Sequence, residues 1–177
     1  MTFLYILYGF LAIVVIILVI ALYLPNRYFY EKTVIIKKPC DIVVNQVANL
    51  HHYAEWNPWQ QQHKNIQKEI TGTPKTRGHC YAWEGKKVGK GSITIRDIDN
   101  KHVFFQLEFI KPYKAQARDN WVFEEWGHGE TKVTWQNFGD LSYPMGRIMG
   151  YIMNKPLDRQ FNRGLKNLKT RCEQLTT

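Results

Sequence analysis

From Thr2 to Leu24 the sequence contains no Asp, Glu, Lys or Arg. A helix without charge on any face cannot lie on a protein surface, and a chain of 177 residues has little with which to surround one. As a helix, the run matches the roughly 20 apolar residues that cross a bilayer core. The marks of a cleaved leader are also missing. Met1–Phe3 holds no Lys or Arg, no A-x-A site precedes Pro25, and the run outlasts an h-region of about 7–15 residues. The expectation is an uncleaved single-pass anchor over residues 1–26 in the cell membrane, with Tyr5, Tyr8 and Tyr23 toward its ends. Arg27, Lys32, Lys37 and Lys38 follow the span while only the α-amino group precedes it, so the positive-inside rule expects residues 27–177 on the cytoplasmic side.

Cysteine is scarce. Cys40, Cys80 and Cys172 are odd in number and show no CxxC spacing, which argues against a disulfide framework and a zinc site. No H-E-x-x-H, G-x-S-x-G, Walker A or dinucleotide fingerprint occurs. His51-His52 and the scattered His63, His102 and His128 lack Cys or carboxylate company at ligand spacing, so neither a metal nor a cofactor is expected. Helix-turn-helix, zinc-finger and RRM signatures are absent too, so the net charge of +9 is not read as nucleic-acid binding. All of that charge follows the span, and it should draw the domain to anionic headgroups at about 1 kcal/mol per Lys or Arg held near the surface.

What is present reads as one domain without repeats. Residues 28–38 form a β-rich run ending at Pro39, and 40–56 have helical spacing through Ile42, Val43, Val47 and Leu50, with Asp41 in the first turn. After Asn57-Pro58, six strand-like runs follow at 66–70, 79–84, 87–98, 102–110, 115–125 and 131–138. Mostly short turns join them, so neighbours should pair as antiparallel hairpins. Leu157, Phe161, Leu165, Leu168, Cys172 and Leu175 then make one apolar stripe on a long C-terminal helix. Pro156 is expected to start or kink it, leaving "MGRIMGYIM" (145–153) as a separate turn or short helix. The architecture is α+β: a curved seven-stranded antiparallel sheet closed by a long helix, with a cleft between them.

"WNPW" (56–59), "YAWEGKKVGKGSITI" (81–95), "TKVTW" (131–135) and "LSYPMGRIMGYIM" with "GLKNLK" (141–153, 164–169) are individually weak signals, but their order and spacing are specific. Together they resemble the polyketide cyclase/dehydrase branch of the START-like helix-grip superfamily, the SRPBCC proteins, including members with an N-terminal membrane helix. The resemblance covers Arg27 to Leu175 and implies a helix-grip fold with a deep apolar cavity for lipids, sterols or polyketides. Pro156 departs from the uninterrupted final helix that it implies.

Strand alternation places Tyr81 with Trp83, Phe105 with Leu107 and Phe109, Trp121 with Phe123, and Val133 with Trp135 on one face. Glu84, Gln106, Glu108, Glu124, Lys132 and Thr134 fall on the other. The expected cavity lining is therefore Trp56, Tyr81, Trp83, Phe105, Leu107, Phe109, Trp121, Phe123 and Trp135, with Met149, Met153 and Phe161 from the last helix. Trp56 should wall one end, and Trp59 should be a lid or packing residue beyond the break. His79, Asp119 and Asn137 share the inner face; of these His79 and Asp119 are the weak catalytic candidates, with a strand-end His and an Asp at a bulge or rim as their plainer readings. The leading expectation is a membrane-anchored binding protein for a hydrophobic small molecule or lipid. The alternatives are a cyclase- or aromatase-like enzyme, and an interaction or stress-response module whose cavity is vestigial, filled by Trp83, Trp121 and Trp135.

Overall fold

The computed structural model describes residues 1–61 and 66–175, which leaves His63 outside the described residues. The elements run α1 (Thr2–Tyr23), β1 (Arg27–Ile36), α2 (Cys40–Ala48), α3 (Leu50–Trp56), α4 (Pro58–Gln61), β2 (Gln67–Thr71), β3 (Cys80–Gly85), β4 (Gly89–Ile98), β5 (His102–Lys111), β6 (Ala115–Trp126), β7 (Glu130–Asp140) and α5 (Met145–Gln174). Helix α1 is apolar throughout and long enough for a membrane span or a signal sequence.

Among the described residues the strands form one antiparallel sheet of order β1-β7-β6-β5-β4-β3-β2. Each hairpin pairs with its neighbour, and β1 adds beside β7, with Val34 opposite Val133. The period of two is plain in β6, where Ala117, Asp119, Trp121 and Phe123 are buried and the residues between them are more open. In β4 the register shifts between Lys90 and Gly91 and again between Ile95 and Asp97. Bulges of this kind bend and twist a sheet. The concave face so made is covered by α2, α3 and the C-terminal part of α5, which buries Phe161, Gly164, Leu165, Leu168 and Cys172.

Two expectations are corrected here. The helical spacing from 40 to 56 is split at Asn49, which leaves the helix at φ −87° and ψ 105° and accepts the His51 N–H on its side-chain oxygen at 3.1 Å. A side chain that offers the backbone an alternative partner favours such a restart. Conversely, α5 runs unbroken through Pro156 and takes in 145–153. A mid-helix proline costs about 3 kcal/mol. Packing on both sides outweighs that cost: the core holds the C-terminal half, and bonds to α1 hold the first turns.

Candidate functional site

A cleft of about 380 Å³ lies between the sheet and α5. Strand residues Tyr28, Tyr81, Trp83, Ile93, Leu107, Phe109, Ala117, Asp119, Trp135 and Asn137 form its floor and walls. Tyr53, Asn57 and Trp59 close the side next to α3 and α4, Met153, Leu157 and Phe161 reach in from α5, and Lys87 and Val88 stand in the β3–β4 turn. The lining is thus mostly aromatic and aliphatic with a few polar groups, the composition of sites for apolar ligands.

The structure brings together Tyr81, Trp83, Leu107, Phe109, Asp119, Trp135, Met153 and Phe161 from the expected set. Trp56, Phe105, Trp121 and Phe123 do not line the cleft; they are buried in the core. Trp56 donates its indole N–H to the Gln46 carbonyl at 2.9 Å and meets Trp121 and Trp135 edge-on, so its ring is spent on holding α3 against the sheet. Met149 lies outside, 38% exposed. Of the tryptophans around Asn57-Pro58, only Trp56 departs from its expected place; Pro58 starts a new helix as well as ending the old one. Asn57 caps it, accepting the Trp59 N–H at 2.9 Å, and Trp59 swings over the cleft to meet Trp135 and Phe161 nearly at right angles.

Tyr28 and Tyr53 were not expected. Tyr28 belongs to a strand read only as β-rich, without a face assigned. Tyr53 precedes the buried Trp56 by one helical turn, a spacing that could have marked it.

His79 is fully buried but outside the cleft. Its Nε2 accepts the Leu50 N–H at 3.1 Å, and its Nδ1 stands 2.9 Å from the Thr71 carbonyl, which only an N–H can satisfy. Both nitrogens are occupied, and the ring ties the start of α3 to the end of β2.

Asp119 is 2% exposed and faces the cleft. Burial pushes its carboxyl up to about 7, because a charge in this apolar setting is poorly solvated. The Asn137 amide and the Trp135 indole N–H pull the other way. Only the amide makes a hydrogen bond of full geometry, at 2.5 Å to Oδ1. Burial also raises the Tyr28, Tyr53 and Tyr81 hydroxyls, with the neighbouring Asp119 adding to the effect on the first two. The Tyr81 hydroxyl is buried without a hydrogen-bond partner, as are the indole N–H groups of Trp121 and Trp135. Among the described residues, no group of three His, Cys, Asp or Glu is placed to hold a metal ion.

Neither a family model nor a curated protein matches the sequence. Solved structures do. Ara h 8.0201 aligns at a TM-score of 0.58 and 12% identity, over 82% of this chain and 97% of that one. A hypothetical protein from Helicobacter pylori aligns at 0.61 and 10% identity, over 82% and 88%. DynU16, from the dynemicin biosynthetic locus, aligns at 0.58 and 14% identity, over 82% of this chain and 47% of its own. At such identities the likeness concerns the fold, and the fold is the helix grip.

Proposed function

We propose that the chain is a membrane-tethered binding protein that holds a hydrophobic small molecule or lipid between its sheet and α5. Residues 1–26 serve as the anchor in the cell membrane and 27–177 as the binding domain on the cytoplasmic side. One observation carries the reading: the aromatic cleft is walled by Tyr81, whose hydroxyl has no protein partner, and by the buried carboxyl of Asp119. An unpartnered buried hydroxyl costs about 1–3 kcal/mol, which a guest supplying a polar group would offset. The guest is therefore apolar with one polar end, which docks at Tyr81 and the Asp119–Asn137 pair. Against the vestigial-cavity reading stands the placement of its three tryptophans: Trp121 lies in the core, and Trp83 and Trp135 border the cleft. Native mass spectrometry of the full chain, released from detergent micelles after extraction from membranes, should give an adduct of discrete mass that Tyr81→Phe weakens. Bare protein in every charge state would sink the proposal.

Asp119 alone supports a second reading, a cyclase- or dehydrase-like enzyme. A carboxyl titrating near 7 beside a cleft can give or take a proton at neutral pH. Its test is turnover of a polyketide-like substrate, abolished in Asp119→Asn; binding without turnover leaves the first reading standing. His79 has no part in it, because its nitrogens face the backbone away from the cleft.

A further inference from the structure

The nine residues Met145–Met153 carry a single charge, Arg147. That cation is half-buried against α1: its Nη1 donates to the carbonyls of Ala21 and Leu22 at 3.2 and 3.3 Å, in the last turn of α1, where helical donors run out. The Tyr143 hydroxyl donates to the Leu18 carbonyl at 3.1 Å, and Ala21 is fully buried under these contacts. The rest of the segment has no charged face, with Tyr151 72%, Ile152 58% and Met145 52% exposed. Large apolar side chains left open together mark a surface meant to be covered.

We propose that Met145–Met153 is a second lipid-contacting element, embedded in the bilayer interface beside α1. The inference rests on reading α1 as a membrane span, and three observations select lipid as the cover. The hydrogen bonds set the first turns of α5 at the height of the last turn of α1, where the span leaves the hydrocarbon. An apolar groove of about 510 Å³ runs between the helices, lined by Ile17, Ile20, Leu24, Ile148, Tyr151 and Ile152, and so continues the surface of the anchor. Polar side chains resume directly afterwards with Asn154, Lys155, Asp158 and Arg159, as at an interfacial boundary. The consequence concerns the guest. Ile152 lines the groove and its neighbour Met153 lines the cleft, so an apolar molecule passes from lipid to cleft around one turn of α5 without crossing bulk water.

The test uses the full chain with Cys40→Ser and Cys80→Ser, the buried Cys172 being left in place, reconstituted in phosphatidylcholine and phosphatidylglycerol vesicles. A thiol-linked fluorophore is placed in turn at Ile13→Cys, Ile152→Cys and Tyr113→Cys, the last on the exposed β5–β6 loop. Doxyl-labelled phospholipid should quench the first two about twofold or more and spare the third, while aqueous iodide should do the reverse. Quenching at Ile13→Cys with Ile152→Cys behaving like Tyr113→Cys overturns this inference and leaves the tether intact. Loss of lipid quenching at Ile13→Cys overturns the tether and this inference with it. Disulfide-linked dimers of Ile152→Cys in place of lipid quenching assign the face to a second copy and overturn it as well. None of these readouts depends on whether the cleft holds cargo.

Discussion

Asp119 and His79 are both buried polar residues on the inner side of the sheet, and their partners separate their roles. The Asp119 carboxyl titrates near 7 in the fold and near 3.9 in an unfolded chain. Between those values the folded protein keeps a proton that the unfolded chain releases, so the contribution of this one group to stability is greatest below about pH 4, falls toward pH 7 and is level above it, by at most about 1.4 kcal/mol per unit. Tyr28 and Tyr53 stay neutral across that window, since burial moves them further up. Denaturant unfolding between pH 5 and 8 should therefore show wild type losing stability relative to Asp119→Asn; parallel profiles would contradict a carboxyl held at about 7. His79→Ala strands the Leu50 N–H and the Thr71 carbonyl. It should cost about 2–4 kcal/mol in the same assay while the folded fraction retains its ligand. Loss of binding without loss of stability would return His79 to the site.

The grip of α5 on the sheet depends on a missing side chain. A Cβ at Gly164 would stand 2.9 Å from Trp135 Cζ3 and 3.4 Å from Pro58 Cδ. Trp135 cannot retreat, being stacked on Trp121 at 4.4 Å and against Phe161 at 4.3 Å. Gly164→Ala should therefore destabilise by about 1–3 kcal/mol despite the better helix propensity of alanine. Pro156 is exposed, and Pro156→Ala returns an N–H to the helix. Thermal unfolding should show it gaining about 1–2 kcal/mol. These positions mark where sequence pattern stops being informative. Strand alternation and the stripe from Phe161 to Cys172 were legible because one buried face repeats with the period of its element. The continuity of α5 through Pro156, the restart at Asn49 and the burial of Trp56 in the core were not. Each depends on a contact across more than a hundred residues or on one side-chain cap, such as Asn167 donating to the Trp56 carbonyl. Alternation could say which strand residues face inward; it could not say which of them the helices would cover, and that is what removed Phe105, Trp121 and Phe123 from the cleft lining.

At the scale of the whole molecule, an open cleft in a small domain is a standing cost, and the cost is what a ligand removes. The aromatic floor has fewer packing partners on its cleft side, and the Tyr81 hydroxyl has no partner within the protein. Anything that binds the folded state alone raises its stability by mass action, about 2.7 kcal/mol when the free ligand is a hundredfold above its dissociation constant. The full chain extracted with its native lipids should thus unfold at a higher temperature than the same chain after exhaustive delipidation. Leu107→Trp places an indole into the cleft from β5, so it should reduce that difference by raising the delipidated form and excluding the guest. The variant separates two origins of the effect. If lipid stabilises only by surrounding α1 and the first turns of α5, both proteins lose stability equally on delipidation and the cleft holds nothing. If it also stabilises by filling the cleft, wild type loses more than the variant.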